Sequence, residues 1–412
     1  MRARELGRSP SYNGQARPAF SFPEISLSYN IGIDARKLTD FGIGTYIQNL
    51  VRALAEIDQQ NNYVLFVGSR HRDALADLAP NFRTIVERSP TYSARELLTL
   101  SWRLFRLRLD LYHSTHYVLP AVVPCRAVVT IHDIIHLLYP EFLPSALAFF
   151  YAQRMIRRSL TRGDRIIADS RNTKTDLMDY FDVDGRKIRV VHPGVADTFR
   201  RRLGQEKIDA LLGEYGISRP YLLFVGNPKP HKNLDNVVKA YAKALASSDF
   251  DADLVCVGDR GGAEFKLRQR AEQLGIGNRL RLLGHVPDEA LPAIYQGATL
   301  FLYPTLYEGF GLPVVEAMAS GVAVMTSNTS ALKEVAEGYG HLVNPLDVDE
   351  MARAIARCMT DTEHRESLVK KGLRRAEDFV WRRTAEKTLE VYASALRQPA
   401  LQPKKAPSGG AS

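Results

Sequence analysis

The chain has 412 residues, of which 45% are apolar and 25% are charged, and these are the proportions of a globular protein. Its length exceeds what one ordinary hydrophobic core holds, so two domains are predicted. The net charge of +9 would suit nucleic acid, an anionic membrane or an anionic substrate, but the sequence has no RNP-type aromatic motif, zinc-finger spacing or basic region before heptads, which argues against nucleic acid as a partner. No apolar run approaches the roughly 18 residues of a membrane span, and Cys125, Cys256 and Cys358 stand too far apart to indicate a disulfide framework or a zinc site.

The predicted elements begin after a polar N-terminal stretch. Residues 1–28 lack the apolar core of a secretory signal, and they are predicted to form a flexible arm on a cytoplasmic protein. Beyond them, short apolar runs alternate with longer helical patterns, which is typical of βαβ units in parallel sheets. In the first half the runs lie at 29–33, 63–67, 110–114, 127–131, 165–169 and 188–192. In the second half they lie at 221–225, 253–257, 279–283, 299–303 and 322–326.

This pattern predicts an α/β protein with two Rossmann-like, doubly wound parallel-sheet domains that face a central cleft. The N-terminal domain is predicted over 29–200 and the C-terminal domain over 220–380, with a polar linker over 201–219. A helix over 381–397 is predicted to pack back on the N-terminal domain, and the Pro-, Gly- and Ser-rich residues 398–412 are predicted to be disordered. Doubly wound sheets bind ligands beyond the carboxyl ends of their strands, so residues that follow strands are the functional candidates.

The richest segment is YPTLYEGFGLPVVEAMAS, residues 303–320. A strand ends there, a Gly-rich loop follows, and Pro313 suits the first turn of a helix. A helix N-terminus bared by glycines offers N–H groups and a positive dipole end to an anion. Glu308 and Glu316 lie eight residues apart, and eight residues of helix span about 12 Å, which is the reach from a ribose across a diphosphate to a sugar ring. Glu316 is therefore predicted to accept hydrogen bonds from ribose hydroxyls.

The spacing of the two glutamates is not informative by itself. The pairs Glu206 with Glu214 and Glu264 with Glu272 have the same spacing but neither a Gly loop nor a preceding strand. The strand, Gly loop and helix around Glu308, and not the spacing, indicate that the Glu308–Glu316 pair is functional.

The segment YEGFGLPVVEAMASG, together with YLLFVGNPKPHKNL and LLGHVPDEALPAIYQGA, closely resembles the retaining glycosyltransferases of family 4, the glycosyl transferases of group 1, which have the GT-B fold. The resemblance continues more thinly in the N-terminal half through DARKLTDFGIGTYIQNL, TIHDIIHL, ADSRNTK and VVHPGV. Among relatives, the chain looks most like bacterial mannosyltransferases of polysaccharide assembly. The resemblance implies transfer of a hexose, with GDP-mannose favoured over UDP-hexoses, from a nucleotide-diphosphate sugar to a glycan or lipid-linked acceptor through an α-glycosidic bond.

The resemblance also implies roles for individual residues of the loop. The glutamate that matches Glu308 contacts the donor sugar in this family, and the one that matches Glu316 holds the ribose. The backbone N–H groups of Phe310, Gly311 and Leu312 are implied to meet the sugar or the phosphates.

A second motif, GNPKPHKN, runs from Gly226 to Asn233 between a strand and a helix. Lys232 is predicted to lie at the cleft as a point charge for the diphosphate, matching the family's donor-phosphate lysine; the alternative is a solvated lysine in a turn. Many relatives carry an arginine beside or shortly before this lysine, but Asn227, Lys229 and His231 stand there instead. Lys and Arg are not equivalent at a bidentate phosphate site, so the second cation is open between Lys229, the better candidate, and His231.

In the N-terminal half, His132 and Asp133 directly follow the run 127–131, which places them at the cleft. His132 matches a family histidine that reaches over the transferred sugar, although a lone histidine at a strand end is often structural. Gly42 and Gly44 follow the first strand, where they would let the backbone approach donor or acceptor or would simply ease a tight turn. Ser170 and Asn172 are predicted to cap a helix.

The implied mechanism is front-face attack with the leaving diphosphate assisting the acceptor proton. Retaining hydrolases use two carboxylates roughly 5 Å apart, and no second carboxylate is assigned beside the reacting carbon. Lys232, Lys229 and the helix N-terminus at Gly311 would stabilise the departing charge, so neither a metal nor another cofactor is implied.

The surplus of positive charge lies in residues 1–200, with 27 Lys and Arg against 20 Asp and Glu. A basic amphipathic face on two predicted helices would place the enzyme peripherally on the inner face of an anionic membrane; solvated charge is the alternative. Its members are Arg103, Arg106, Arg108, Arg154, Arg157, Arg158 and Arg162. Two other classes remain open: a non-catalytic nucleotide-sugar-binding protein on the same fold, and a dinucleotide-dependent oxidoreductase, for which the third glycine of G-x-G-x-x-G is missing at Ile47.

Overall fold

The computed structural model describes residues 28–397, apart from 72–73, 76, 90–92, 144 and 259–263. The described residues form two parallel sheets, one of seven strands and one of six. The predicted fold class is thereby confirmed. Apart from Ser28, the predicted N-terminal arm and C-terminal tail lie outside the described residues.

The N-terminal sheet has the strand order β3-β2-β1-β4-β5-β6-β7. Its strands are β1 Asn30–Asp34, β2 Asn62–Val67, β3 Phe82–Val86, β4 Leu111–Ser114, β5 Arg126–Ile131, β6 Arg165–Ala168 and β7 Ile188–Val190. The helices of this half are α1 Phe41–Ile57, α2 Ala94–Leu107, α3 Ile135–Leu138, α4 Ala146–Arg162, α5 Arg171–Phe181, α6 Asp197–Arg200 and α7 Gln205–Glu214, with 3₁₀ turns at Ser69–His71, Pro140–Phe142 and Gly185–Lys187.

The C-terminal sheet has the order β10-β9-β8-β11-β12-β13. Its strands are β8 Tyr221–Val225, β9 Asp253–Val257, β10 Leu280–Gly284, β11 Leu300–Tyr303, β12 Ala323–Ser327 and β13 His341–Val343. The helices are α8 Leu234–Ser247, α9 Glu264–Gln273, α10 Leu291–Gly297, α11 Leu312–Ala319, α12 Ser330–Ala336, α13 Val348–Thr360, α14 Thr362–Ala376 and α15 Trp381–Leu396, with 3₁₀ turns at Pro230–Lys232 and Gly277–Arg279.

Each predicted strand corresponds to an observed strand whose ends differ by at most two residues. The sequence reading missed β3 and β13, which are both edge strands. The residues of β3 are only partly buried, and β13 is three residues long, so neither carries the continuous apolar run of a central parallel strand.

Helices cover both faces of the N-terminal sheet. Leu50 of α1 and Tyr392 of α15 belong to one buried cluster, whereas Leu104 of α2 and Ile156 of α4 belong to another. The pairs α1 with α15 and α2 with α4 therefore lie on opposite faces of the sheet.

The chain crosses between the two domains twice. The stretch 201–219 contains α7, whose Ile208 and Leu212 are buried in the C-terminal core. After the C-terminal domain, α15 returns to the N-terminal sheet, where the Tyr392 hydroxyl lies 2.7 Å from Nδ1 of His113. The two connections place the carboxyl ends of both sheets at a common cleft.

Within the part of the chain that the structure describes, no helix combines the length and the apolar character needed to cross a lipid bilayer.

Candidate functional site

The centre of the cleft is an ion pair between two loops of the C-terminal domain. Lys232 Nζ lies 2.7 Å from Oε1 of Glu308, and it also donates to the Tyr303 hydroxyl at 2.7 Å. The two charged side chains are only 17% and 14% exposed. Burial alone would lower the pKa of Lys232, but the Glu308 carboxylate raises it above its usual value. A permanent cation and a carboxylate therefore face the cleft side by side.

The turn after β8 holds Lys232 in this position. The lysine ends the 3₁₀ turn Pro230–Lys232, and Asn233 follows with a positive φ of 61°. The buried Asn233 amide donates to the carbonyl oxygens of Pro304 at 2.9 Å and Pro345 at 2.6 Å. These bonds tie the turn after β8 to the loop after β11, so that Lys232 meets Glu308.

The loop between β11 and α11 bares a helix N-terminus. Gly311 precedes α11 with a φ of 99°, a conformation that side chains strongly disfavour. The Phe310 ring packs between His192 and Phe379, at centroid distances of 5.9 and 5.4 Å. The side chain of Phe310 thus anchors the loop. The N–H groups of Gly311 and Leu312 begin the helix, where the first turn has no intrahelical partners for them, so they suit an anion.

Glu316 lies one turn inside α11 and is mostly buried. Its Oε2 accepts a hydrogen bond from the Tyr295 hydroxyl at 3.0 Å. Burial raises the pKa of Glu316 to about 7, with the Tyr295 bond opposing and Asp288 adding to the rise. This carboxyl group is therefore poised between its neutral and charged forms near neutral pH.

His132 brings the N-terminal domain to the same site. Its Nδ1 lies 2.6 Å from Oδ2 of Asp169, and its Nε2 lies 2.9 Å from the Thr115 carbonyl oxygen. Burial alone would lower the pKa of His132, but the Asp169 carboxylate and the Thr115 carbonyl raise it. Because both ring nitrogens face acceptors, only the imidazolium satisfies both bonds.

The backbone of His132 contacts the Glu308 loop directly. A Cβ atom built on Gly309 would collide with the His132 carbonyl oxygen, so a glycine is needed for the domains to approach this closely. Asp133 lies at the same contact, and its Oδ1 accepts from the Ile135 N–H at 3.0 Å, which fixes the start of α3.

Helix α5 of the N-terminal domain holds the residues on both sides of Glu308. The Tyr307 hydroxyl donates to Oδ2 of Asp176 at 2.6 Å, and Thr173 Oγ1 donates to the Gly309 carbonyl oxygen at 3.2 Å. The sequence reading missed Asp176 and Thr173, because nothing in a sequence relates two residues that are more than 130 positions apart.

A second interdomain contact lies at the N-terminus of α5. The Glu334 carboxylate, from α12, accepts from the Arg171 N–H at 2.8 Å and from His192 Nε2 at 2.8 Å. The predicted cap at this terminus is present, since Ser170 Oγ accepts from the Thr173 N–H at 3.0 Å. Asn172 instead donates its side-chain amide to Asp176 at 2.7 Å.

The remaining predicted residues lie around this centre. Gly44 is buried against the Leu38 carbonyl oxygen, which a Cβ would strike, whereas a Cβ on Gly42 would meet nothing within 4 Å. Gly44 is thus needed to pack α1 on the preceding turn, and Gly42 lies at an open surface.

Two residues near Lys232 differ in their charge. Lys229 is exposed at the rim of a groove of about 750 Å³ that residues of α8 and α9 line. Burial, with help from Lys232 and Lys229, lowers the pKa of His231 to about 3, so its ring is neutral. Of the two, only Lys229 carries a charge that could supplement Lys232.

Gly226 and Glu264 line one small cavity at the ends of β8 and β9. Glu264 also pairs with Arg268 at 2.8 Å. Glu214, by contrast, is exposed at the last position of α7. Glu214 precedes the amino end of β8, which is opposite to the carboxyl ends of the strands at the cleft.

Two family models match the chain in succession. The glycosyltransferase family 4 model matches residues 42–199, and the glycosyl transferases group 1 model matches residues 213–375. The O-antigen chain mannosyltransferase B of Escherichia coli is 29% identical over 365 residues, which cover 85% of this chain and 95% of that protein. The serotype-specific mannosyltransferase WbdA of Escherichia coli is 28% identical over 69% of this chain, but over only 36% of its own length.

Solved structures share the fold. The structure of Anabaena HepE in complex with UDP and glucose superposes with a TM-score of 0.71 at 19% identity, covering 89% of this chain and 100% of that one.

Proposed function

The chain belongs to the glycosyltransferases of group 1, and we propose that it moves mannose from GDP-mannose to a glycan or lipid-linked acceptor, with retention and formation of an α-glycosidic bond. Glycosyl transfer is the activity of the family. Mannose as the donor sugar is inferred from the relatives named mannosyltransferases.

The observation that carries the proposal is the Lys232–Glu308 pair beside the N-terminus of α11. A nucleotide-diphosphate sugar presents an anionic diphosphate between two polyhydroxylated rings. Lys232 and the N–H groups of Phe310, Gly311 and Leu312 would bind the diphosphate, while the Glu308 carboxylate would accept hydrogen bonds from the transferred sugar.

The remaining donor contacts follow from the same placement. Glu316, one turn further along α11, would accept hydrogen bonds from the ribose hydroxyls. Lys229 would add charge from the rim of the cleft, and Gly226 would let the backbone approach the donor. On the opposite side, the open surface at Gly42 would admit donor or acceptor, with Gly44 and Asp133 shaping the turns beside it.

In the proposed step, the bond from the anomeric carbon to the diphosphate oxygen breaks while the acceptor oxygen bonds to the same face of that carbon. The acceptor proton passes to the departing diphosphate. Lys232 and the α11 N-terminus stabilise the charge on the leaving group, and Glu308 stabilises the positive charge at the anomeric carbon.

His132 is proposed to act beside the transferred sugar without transferring a proton. Both of its ring nitrogens bind acceptors of the protein. Its contribution would be to hold the His132 backbone against the Glu308 loop, since its ring is fixed by Asp169 and Thr115 and its carbonyl oxygen lies against Gly309.

The test is a panel of sugar nucleotides with purified full-length protein. A ligand at 100 times its Kd raises the unfolding free energy by about 2.7 kcal/mol, so GDP-mannose is expected to raise Tm more than UDP-glucose does. Release of nucleoside diphosphate on addition of acceptor then reports transfer. Stabilisation by a UDP-hexose and not by GDP-mannose would refute the assignment of mannose and favour the UDP-hexose-dependent alternative, for which the UDP complex of HepE is the supporting observation.

The acceptor side has a surface that fits an anionic lipid. Helices α2 and α4 lie on one face of the sheet, and the loop between β4 and β5 joins them, since the Val122 N–H donates to Ser101 Oγ at 2.9 Å and Arg158 donates to the Pro120 carbonyl at 3.1 Å. Large apolar side chains are exposed along this surface. They are Leu98, Trp102, Phe105, Val122, Leu147 and Phe150, and we call them the α2–α4 face.

Exposed arginines accompany the α2–α4 face. Arg106 lies over the Trp102 ring at 4.9 Å, and Arg154 and Arg157 follow Phe150 on the exposed side of α4. Two predicted members of the basic face have other roles, since Arg103 pairs with Glu87 at 2.8 Å and Arg158 binds the loop. An apolar surface rimmed by cations matches the interface of an anionic bilayer, so we propose that this face holds the enzyme on the membrane that carries a lipid-linked acceptor.

Flotation with phosphatidylglycerol-containing vesicles tests this contact. Binding is expected for wild type and should be lost in the double variant Trp102→Ser/Phe105→Ser. Phe265→Ser, which removes an equally exposed ring from the C-terminal domain, should bind as wild type does. Equal flotation of all three proteins would contradict the assignment of this face.

A further inference from the structure

Two clusters of metal-ligating side chains occur among the described residues. They are Asp34 with Glu96 and His116, and His341 with Cys358 and His364. In the first cluster the Arg36 guanidinium donates to Asp34 Oδ1 at 2.8 Å and to Glu96 Oε1 at 2.6 Å. A protein cation already neutralises those carboxylates, so the first cluster is an internal ion-pair network.

The second cluster contains no such cation between its donors. Nδ1 of His341 lies 3.0 Å from Nε2 of His364 and 3.9 Å from Sγ of Cys358. All three donor atoms lie within 4.8 Å of one another. In a tetrahedral zinc site, bonds of about 2.0–2.1 Å to nitrogen and about 2.3 Å to sulfur put the nitrogens about 3.3 Å apart and nitrogen and sulfur about 3.6 Å apart. The two separations that involve His341 each lie about 0.3 Å from these values.

We propose that His341, Cys358 and His364 bind a divalent transition-metal ion of the zinc class, with a water molecule as the fourth ligand. The three side chains come from three different elements: the first residue of β13, the last full turn of α13 and the first turn of α14. One bound ion would therefore add a link between three elements that hydrogen bonds such as the one between His341 and His364 already join.

The chemistry of the donors suits such an ion. Imidazole nitrogen and cysteine sulfur are the ligands of structural and catalytic zinc sites, and the 3.0 Å contact between His341 Nδ1 and His364 Nε2 brings two such nitrogens together. The Cys358 side chain is buried, and a free thiol is ordinarily protonated at neutral pH. Zinc binding would replace that proton, which passes to solvent, by a metal–sulfur bond.

Two arginines lie near the cluster, and each has acceptors of its own. Arg357 lies 3.9 Å from the Asp361 carboxylate, and the Arg365 guanidinium is bound to the carbonyl oxygens of Cys358 and Met359 at 2.9 and 3.0 Å. Asp361 also caps α14 by accepting from the His364 N–H at 2.9 Å, which fixes the histidine in place. His341 and His364 are only partly buried, so an ion has access from solvent.

The site is remote from the proposed donor site. His341 stands at the amino end of β13, and in a parallel sheet that end is opposite to the carboxyl ends that form the cleft. Metal binding can therefore be measured without an assay of glycosyl transfer, and a negative result for one proposal would not contradict the other.

The test is titration of the purified full chain with Co²⁺, followed by competition with Zn²⁺. Wild type is expected to bind one equivalent with a near-ultraviolet sulfur-to-cobalt charge-transfer band and the visible bands of a tetrahedral ion. Cys358→Ser should lose the charge-transfer band. Loss of an outer-shell partner already weakens metal sites about 10- to 100-fold, so His364→Ala, which removes a direct ligand, should weaken binding by at least about 100-fold.

Cys256→Ser is the matched control, since Cys256 is also a buried cysteine of the C-terminal core but lies in β9, away from His341 and His364. It should retain the band and the affinity. His364 is partly exposed near the start of α14, so His364→Ala should fold. This variant can test the site even if Cys358→Ser does not fold. Zn²⁺ should raise the Tm of wild type and of Cys256→Ser and leave that of His364→Ala unchanged. Absence of the charge-transfer band in wild type, or its persistence in Cys358→Ser, would overturn the proposal.

Discussion

If Glu316 binds the donor as proposed, its raised pKa should make donor affinity depend on pH in a way that can be assigned to this one residue. Ribose hydroxyls donate hydrogen bonds, and the carboxylate form accepts them best. With a pKa of about 7, roughly one tenth of Glu316 is ionised at pH 6 and roughly nine tenths at pH 8. Donor affinity should therefore rise by up to about tenfold between these pH values.

The assay is calorimetric titration with an intact nucleotide sugar, whose diphosphate diester does not titrate in this range, at pH 6, 7 and 8. In Glu316→Gln, affinity should be lower at pH 8 and nearly independent of pH. The variant retains His132 and every other titrating group, so the difference between the two proteins isolates Glu316. Parallel pH profiles for wild type and variant would refute the assignment.

Stability gives a second, ligand-free measurement of the same group. The folded-state pKa of Glu316 lies above its unfolded value, so the native state holds a proton that the unfolded chain has lost. The contribution of Glu316 to the unfolding free energy is fully present below about pH 4.5, the unfolded pKa, and is lost as the pH rises through the folded pKa of about 7. Above pH 7 the buried carboxylate costs about 3 kcal/mol. Glu316→Gln should therefore gain unfolding free energy relative to wild type at pH 8 and gain little at pH 5, and an equal difference at both pH values would contradict the argument.

Three further changes separate the parts of the site. Lys232→Ala removes a charge-assisted contact to the leaving group and should lower kcat/KM by about 30- to 1000-fold, or about 2 to 4 kcal/mol, as steady-state kinetics would show; an unchanged kcat/KM would exclude its phosphate role. Glu308→Gln should lower kcat roughly 100-fold with little change in donor KM, while Glu214→Gln should match wild type in both constants. A larger loss of kcat in Glu214→Gln than in Glu308→Gln would place the donor site elsewhere. Gly309→Ala forces the loop away from the N-terminal domain, so it should lower stability by about 1 to 3 kcal/mol and lower kcat, whereas Gly213→Ala, with nothing within 4 Å of its Cβ, should do neither in thermal unfolding and kinetic measurements.

The central strands could be predicted because each is buried on both faces and reads as a continuous apolar run. The edge strands β3 and β13 lack that run, which is why they were missed. The motif around Glu308 could be predicted for a similar reason. The strand, the glycines and the helix are consecutive in the chain, so one continuous segment contains all the residues of the motif.

The partners of individual side chains were not readable. His132 was placed at the cleft from its position after β5, but its contact with Asp169 links residues 37 positions apart and depends on how β5 and β6 align. The sequence gives the order of the strands along the chain but not the rotamer of the ring between them. The neutral state of His231 could not be predicted for the same reason. It depends on how the chain packs around this ring, including Phe142, whose ring centroid lies 5.7 Å from that of His231.

The setting of Glu308 is a property of both domains. The residue belongs to the C-terminal domain, yet the Tyr307 hydroxyl on one side of it and the Gly309 carbonyl on the other are held by α5 of the N-terminal domain. One bond is made by a side chain and the other by the backbone of the residues that flank the carboxylate. The same segment is also held by its own domain, because the Glu308 N–H donates to Ser330 Oγ at 3.2 Å and the Leu306 N–H donates to the His231 carbonyl oxygen at 2.8 Å. Contacts from both domains therefore fix the loop that carries the carboxylate, so the position of Glu308 beside Lys232 depends on the interface between the domains as well as on the C-terminal fold.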